Sequence, residues 1–135
     1  MGQYHIPVNL DKKQWLDPHK LGCGLKLWEQ LGSVGGTADA LLVLLASSNG
    51  RGGGDLAERR IIGSWAGDRI AVVGDYSEDT DIPTQTDPPM SDVYLLCTEG
   101  VWEDITEQVR AVLESELSLQ YSGTGWMTVG YNAEQ

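Results

Sequence analysis

The stretch Asp17-Pro18-His19-Lys20 puts a carboxylate, an imidazole and an amine within four residues. An imidazole titrates near neutral pH, so His19 suits proton transfer, and the amine of Lys20 suits holding an anion. The plainer reading is a polar turn ahead of a helix, with Asp17 capping it. A second constellation is Gly63-Ser64-Trp65-Ala66-Gly67-Asp68-Arg69. A Trp between small residues, followed by an acid–base pair, could stack on a flat ligand while Asp68 and Arg69 clamp its polar edge. Its competitor has Arg69 pairing with Asp68 or Asp75 and pinning a turn. A third is Gly32-Ser33-Val34-Gly35-Gly36-Thr37, directly before an apolar run. Free backbone N–H groups at a helix start favour an anion, which Gly35, Gly36 and Thr37 would cradle. The Gly-Lys-Ser/Thr signature of a phosphate loop is missing, as is GxGxxG, and a tight connection explains the segment equally well.

Asp75, Ser77, Asp79 and Asp81 alternate like the first oxygen ligands of an EF-hand loop. Thr80 then stands where that loop wants Gly, and Thr86 where it wants Glu, so a solvated acidic loop is the stronger reading. A zinc site would need His5, His19, Cys23 and Cys97 all together. No metal or cofactor is expected. GxSxG, HExxH and kinase signatures are absent, no catalytic residue is assigned, and the chain reads more as a binder than an enzyme.

Charge is distributed unevenly. Residues 1–69 carry seven acids and eight bases, and residues 70–135 carry thirteen acids and one base, Arg110. One-sided acidity suggests a face rather than mere solubility. It argues against duplex nucleic acid, whose binding runs on Lys and Arg. The candidate docking residues for a basic partner are Asp75, Glu78, Asp79, Asp81, Glu107 and Glu114.

The elements that must position these residues can be sketched from pattern. Tyr4–Leu10 reads as a strand near an edge or end because of Pro7, with Asp11-Lys12-Lys13 as a turn and Gln14–Asp17 returning. Gly24–Leu31 reads as a short helix burying Leu21, Leu25 and Trp28, with Lys26, Glu29 and Gln30 towards water and Gly32 as its stop. Thr37–Ser48 reads as a helix, central and buried because Ala40–Ala46 is apolar all round. Residues 49–57 read as a flexible loop, with Arg51 adding to a cationic neighbourhood at Arg59 and Arg60. Arg60–Trp65 and Arg69–Gly74 read as strands, and 75–92 as a long acidic loop. Val93–Glu99 and Val101–Ile105 read as a hairpin around Gly100. Asp104 starts a last helix with the stripe Ile105, Val109, Val112, Leu113 and Leu117, and the tail from Leu119 to Tyr131 offers a final strand. The whole reads as one α+β domain with an antiparallel or mixed sheet and about three helices.

Cys23 and Cys97 lie far apart in sequence and outside any CxxC, so both are expected reduced and packed. No secretory pattern and no membrane-length apolar run occurs, so a cytoplasmic setting without membrane contact is expected.

Two stretches carry a resemblance: Val8-Asn9-Leu10-Asp11-Lys12-Lys13 running on to Asp17-Pro18-His19-Lys20 and Gly24-Leu25-Lys26, and Gly63–Ile70 with Gly74-Asp75-Tyr76. Together they resemble a small family of bacterial or phage-type proteins. That family has no assigned activity, and the likeness covers roughly the first 76 residues. It implies that the two stretches belong together and nothing about mechanism.

Three functions remain open from sequence. The first is an inhibitor or immunity-type binding protein engaging a basic partner through its acidic half. The second is a protein that binds or processes a small anionic metabolite at His19, Lys20, Trp65, Asp68, Arg69 and the Gly35–Thr37 loop. The third is a homo-oligomeric subunit packing through exposed Trp residues.

Overall fold

The computed structural model describes residues 3–48, 56–57, 59–82 and 86–116, with the backbone of 119–121 and 126–128. Strand β1 (His5–Asn9) is the middle of the architecture. It pairs antiparallel with β2 (Gln14–Trp15) on one side and with β3 (Ile70–Gly74) on the other. Strand β4 (Glu103–Asp104) joins parallel to β2, giving a mixed sheet in the order β3-β1-β2-β4. Pro7 therefore sits in an interior strand. It is tolerated because it faces the end of β2: its carbonyl accepts from Leu16 N–H, and the missing donor points where the chain is already leaving the sheet.

The β1–β2 turn is built by Asn9, whose side-chain oxygen accepts from the N–H groups of Asp11 and Lys12. That Asx-type turn holds Lys13 at a φ of 56°. Side chains alternate along the sheet. Ile6, Val8, Trp15 and Val73 meet α2 (Met90–Thr98) through Met90, Val93 and Cys97. On the other side Leu16, Leu21 and Trp65 join α1 (Thr37–Leu45) and α3 (Thr106–Glu116) through Ala40, Val43, Leu44, Val109, Val112 and Leu113. The result is a single α+β domain with the sheet between α2 and the α1–α3 pair. Strands β5 (Leu119–Tyr121) and β6 (Trp126–Thr128) form a separate hairpin. No described helix is long and apolar enough to cross a membrane.

Several expectations need correction. Val93–Glu99 is helix, not the first strand of a hairpin. Its buried residues Met90, Val93 and Cys97 recur at helical spacing, and this outweighs the β-formers in the segment. Gly100, at φ 83°, ends that helix: its N–H donates to Cys97 O, and Val101 N–H donates to Leu96 O. The acidic loop accordingly stops at α2, and its described residues include the 3₁₀ turn Asp79–Asp81.

Arg60–Trp65 is a run of turns rather than a strand. Its Gly63 and Trp65 N–H groups donate to Val43 O and Leu44 O, satisfying carbonyls that the end of α1 leaves open. Helix α1 stops at Leu45, and it is not buried on every side. Leu42 is 71% exposed, while Ala40, Val43 and Leu44 on the other face pack with Leu16, Leu21, Trp65 and α3.

Gly24–Leu31 is not an α-helix either; only Leu27–Gln30 winds, as 3₁₀. Its polarity is inverted relative to expectation: Gln30 is buried, while Trp28 is 71% and Leu31 62% exposed. Gln30 takes the inner position because its amide donates to the carbonyl of His5 and, alongside the His5 N–H, to that of Leu25. Of the loop expected over 49–57, residues 49–55 lie outside the described residues, as do Leu117 and 129–131 of the tail.

Candidate functional site

The β1–β2 turn and the segment Gly63–Ile70 meet in space. Pairing of β1 with β3 brings the β1–β2 turn against Asp68 and Arg69. Asn9, fully buried, donates through Nδ2 to Asp68 Oδ2 at 2.8 Å, and Lys12 Nζ pairs with the same oxygen. Arg69 donates both its backbone N–H and its Nε to Asp11, each at 2.8 Å. These contacts hold both carboxyls below the ordinary aspartate range. For Asp11 the main cause is the Arg69 backbone N–H, followed by its guanidinium; for Asp68 it is the Lys12 ammonium, followed by the Asn9 amide. Two acids and two bases thus neutralise one another at the tip of the hairpin.

The other residues of the proposed ligand site are committed elsewhere. Trp65 is fully buried, and its indole N–H donates to Gln14 Oε1 at 2.8 Å. Its ring is a core element and offers no stacking platform. Asp17 accepts from His19 N–H and caps the 3₁₀ turn Pro18–Leu21, as the polar-turn reading expects. Lys20 Nζ lies 2.7 Å from Asp104 Oδ2. That hydrogen bond raises the Lys20 pKa. Burial by itself would raise the Asp104 carboxyl, but hydrogen bonds from Lys20 and Thr106 outweigh it and leave it lowered. At the head of α1, Gly35 N–H donates to Asp39 Oδ2 at 2.6 Å, so the helix supplies its own anion beside Gly36 and Thr37. The three groups sit at three places: beside the start of α3, on the β1–β2 turn, and ahead of α1.

The acidic residues behave differently. Asp75, Glu78, Asp79 and Asp81 are all exposed. The oxygens that resemble a calcium loop each serve a different backbone donor. Asp75 accepts from Tyr4, Ser77 from Gly74, Asp79 from Ser91 and Asp81 from Glu78. Among the described residues no group of three metal-ligating side chains comes together. A cavity of about 210 Å³ opens beside this segment, lined by Asp79, Thr86, Pro89 and Met90. The Asp79–Ser91 bond ties the segment to the start of α2, where Asp87 and Asp92 extend the exposed acids, and Glu99 stands exposed at the far end of the helix.

Glu107 and Glu114 do not join this group. Both lie on α3, across the sheet from α2, and Glu114 approaches Arg110 at 3.8 Å. The six candidate acids therefore form two sets. The part that α2 contributes was hidden from sequence reasoning by the mistaken hairpin; the missed signal was the Met90, Val93, Cys97 spacing behind a proline.

Pairing follows the halves of the chain. Of four ion pairs between described residues, only Lys20–Asp104 crosses from the first half to the second. Lys12 and Arg69 are used by Asp68 and Asp11, Arg59 donates to Ser115 Oγ, and Lys13 lies 5.7 Å over the Trp102 ring. From Ile70 to Val109 there are ten acids and no base. No protein-family model matches the chain, and no curated protein or solved structure matches it.

Proposed function

We propose that this chain is a non-enzymatic binding protein, of inhibitor or immunity type, that engages a basic protein through the acidic segment from Asp75 to Glu99. One observation carries the reading. The first half's cations are largely spent on its own acids, on Ser115 and on Trp102, leaving exposed carboxylates on and before α2 without a cation within ion-pair distance among the described residues. Such a surface speeds encounter with a positive partner and rejects anionic ones. The rival reading, a small anionic-ligand site in the first half, has less support. Its cations Lys20 and Arg69 already hold carboxylates, and Trp65 is buried.

The test compares the chain with a variant neutralised at exposed acids outside the Glu78–Asp81 capping box: Asp87→Asn, Asp92→Asn and Glu99→Gln. Partners captured in low salt should be basic proteins, should be released as ionic strength approaches about 1 M, where screening reaches about 3 Å, and should be lost to the variant. Capture of acidic proteins alone, or binding indifferent to salt, would sink the reading.

A further inference from the structure

Strand β3 is an open edge of the sheet. It stands last in the order β3-β1-β2-β4, and the β5–β6 hairpin belongs to a separate sheet. Its register with β1 fixes which backbone groups are used. Leu10 N–H donates to Arg69 O and Asp75 N–H donates to Tyr4 O, so Arg69, Ala71, Val73 and Asp75 turn their N–H and C=O groups towards β1. Ile70, Val72 and Gly74 turn theirs outward. Gly74 N–H donates to Ser77 Oγ at 2.8 Å. Among the described residues, nothing takes the N–H and C=O groups of Ile70 and Val72. Such a row is a template for another strand, and sheets commonly blunt it with proline, lysine or a bulge. Ile70–Gly74 contains neither residue, and its one-to-one register with β1 has no bulge.

The surroundings select the strand that fits. Side chains alternate, so Ala71 and Val73 face α2 while Ile70 and Val72 face the other way. Val72 is 44% exposed. Asp75 continues the α2 side: Tyr94 on that helix has its pKa raised, first by burial and next by the Asp75 charge. The Ser77 bond folds the chain back against the outward side of β3, which brings the exposed Glu78 close to the end of the free row. An added strand therefore meets an apolar neighbour on one face and carboxylates on the other face and at its end. A second copy is a poor occupant, because two molecules of net charge −11 repel.

Resting on the basic-partner reading above, we propose that the partner is held by strand addition: an extended segment of alternating apolar and basic residues pairs with Ile70 and Val72 and turns its Lys and Arg side chains towards Asp75 and Glu78. Backbone hydrogen bonds supply the affinity, and the alternate side chains supply the selection.

Two synthetic peptides test this on the full chain: an alternating Lys-Val octapeptide and its fully N-methylated counterpart, which keeps the lysine charges but has no backbone donor. Amide hydrogen exchange is read by NMR in low salt. Ile70 and Val72 should exchange fast in the free protein and about tenfold or more slower with the Lys-Val peptide, while Ala71 and Val73, bonded to β1, stay slow throughout. The methylated peptide should leave Ile70 and Val72 unchanged and bind about tenfold more weakly, the worth of one or two backbone hydrogen bonds. Val72→Pro removes an outward N–H from an edge position and leaves the bonds to β1 in place. It should keep the wild-type circular dichroism and bind the two peptides alike; if it does not fold, exchange in the wild-type protein decides. Equal, salt-sensitive binding of both peptides with Ile70 and Val72 unprotected would overturn strand addition and leave the basic-partner reading standing. Binding of neither peptide in low salt would overturn both. Protection of Ile70 and Val72 that rises with the protein's own concentration, without peptide, would put a second copy on the edge and overturn the proposal.

Discussion

Replacing Gly63 with alanine probes the junction on which the first half of the chain depends. Gly63 has a φ of +74°, and a Cβ there would stand 2.4 Å from Ala46 O, a backbone atom at the end of α1. The left-handed conformation costs an alanine about 1–2 kcal/mol. Relieving the contact requires the turn to move off α1, which weakens the bonds from Gly63 N–H to Val43 O at 2.9 Å and from Trp65 N–H to Leu44 O at 3.0 Å. Each contributes about 1 kcal/mol. The unfolded chain becomes stiffer, which returns about 0.5 kcal/mol. The net loss is about 3 kcal/mol, a large share of the roughly 5–15 kcal/mol that holds a domain together.

Gly100 supplies the control. Its φ is +83°, and nothing lies within 4 Å of the added Cβ, so Gly100→Ala bears only the conformational cost, about 1 kcal/mol. Urea unfolding followed by circular dichroism should separate the two by about 2 kcal/mol at unchanged slope. Equal losses would show that the turn at 59–69 does not close on the end of α1, and the placement of Trp65, Asp68 and Arg69 would fall with it.

Two further outcomes follow from the charged and thiol groups. Lys20→Met should cost about 1 kcal/mol near neutral pH, since the pair with Asp104 is partly solvated. Asp104 has a lowered pKa in the fold, so its contribution is present above the ordinary value of 3.8 and fades as pH falls through the lower folded value. The gap between wild type and Lys20→Met in denaturation midpoints should therefore narrow in acid, and a gap constant down to about pH 2 would contradict the pairing. Burial, with a smaller contribution from the Asp104 charge, pushes the Cys97 thiol up to about 12. Alkylation at pH 8 should leave Cys97 unmodified until denaturant is added, and rapid labelling of the native protein at this residue would contradict its packing against β1.

Local signals were legible where neighbours in sequence are also neighbours in space. The Pro7 strand, the Asp11–Lys13 turn, the strand ending at Gly74 and the α3 stripe could all be read because period and turn chemistry act over a few residues. The polar cap at Asp17 was legible for the same reason. The halves of the charge distribution were countable from composition alone, whereas the Lys12–Asp68 and Arg69–Asp11 pairs within the first half, and the one ion pair between described residues that crosses to the second, Lys20–Asp104, came from the fold.

Tertiary structure decided the rest. Whether Trp65 would stack on a ligand or fill the core depended on Gln14, 51 residues away, presenting an acceptor to its indole N–H. Whether Trp28 or Gln30 would turn inward depended on the carbonyl of His5, to which the Gln30 amide donates. The pattern rule counted Trp28 as apolar and Gln30 as polar, while the fold weighed an unsatisfied buried carbonyl against an exposed indole and chose the indole to expose. Dispersal of the acids over α2 and α3 likewise depended on which face of the sheet each helix covers, a long-range choice that residue spacing along the chain does not encode.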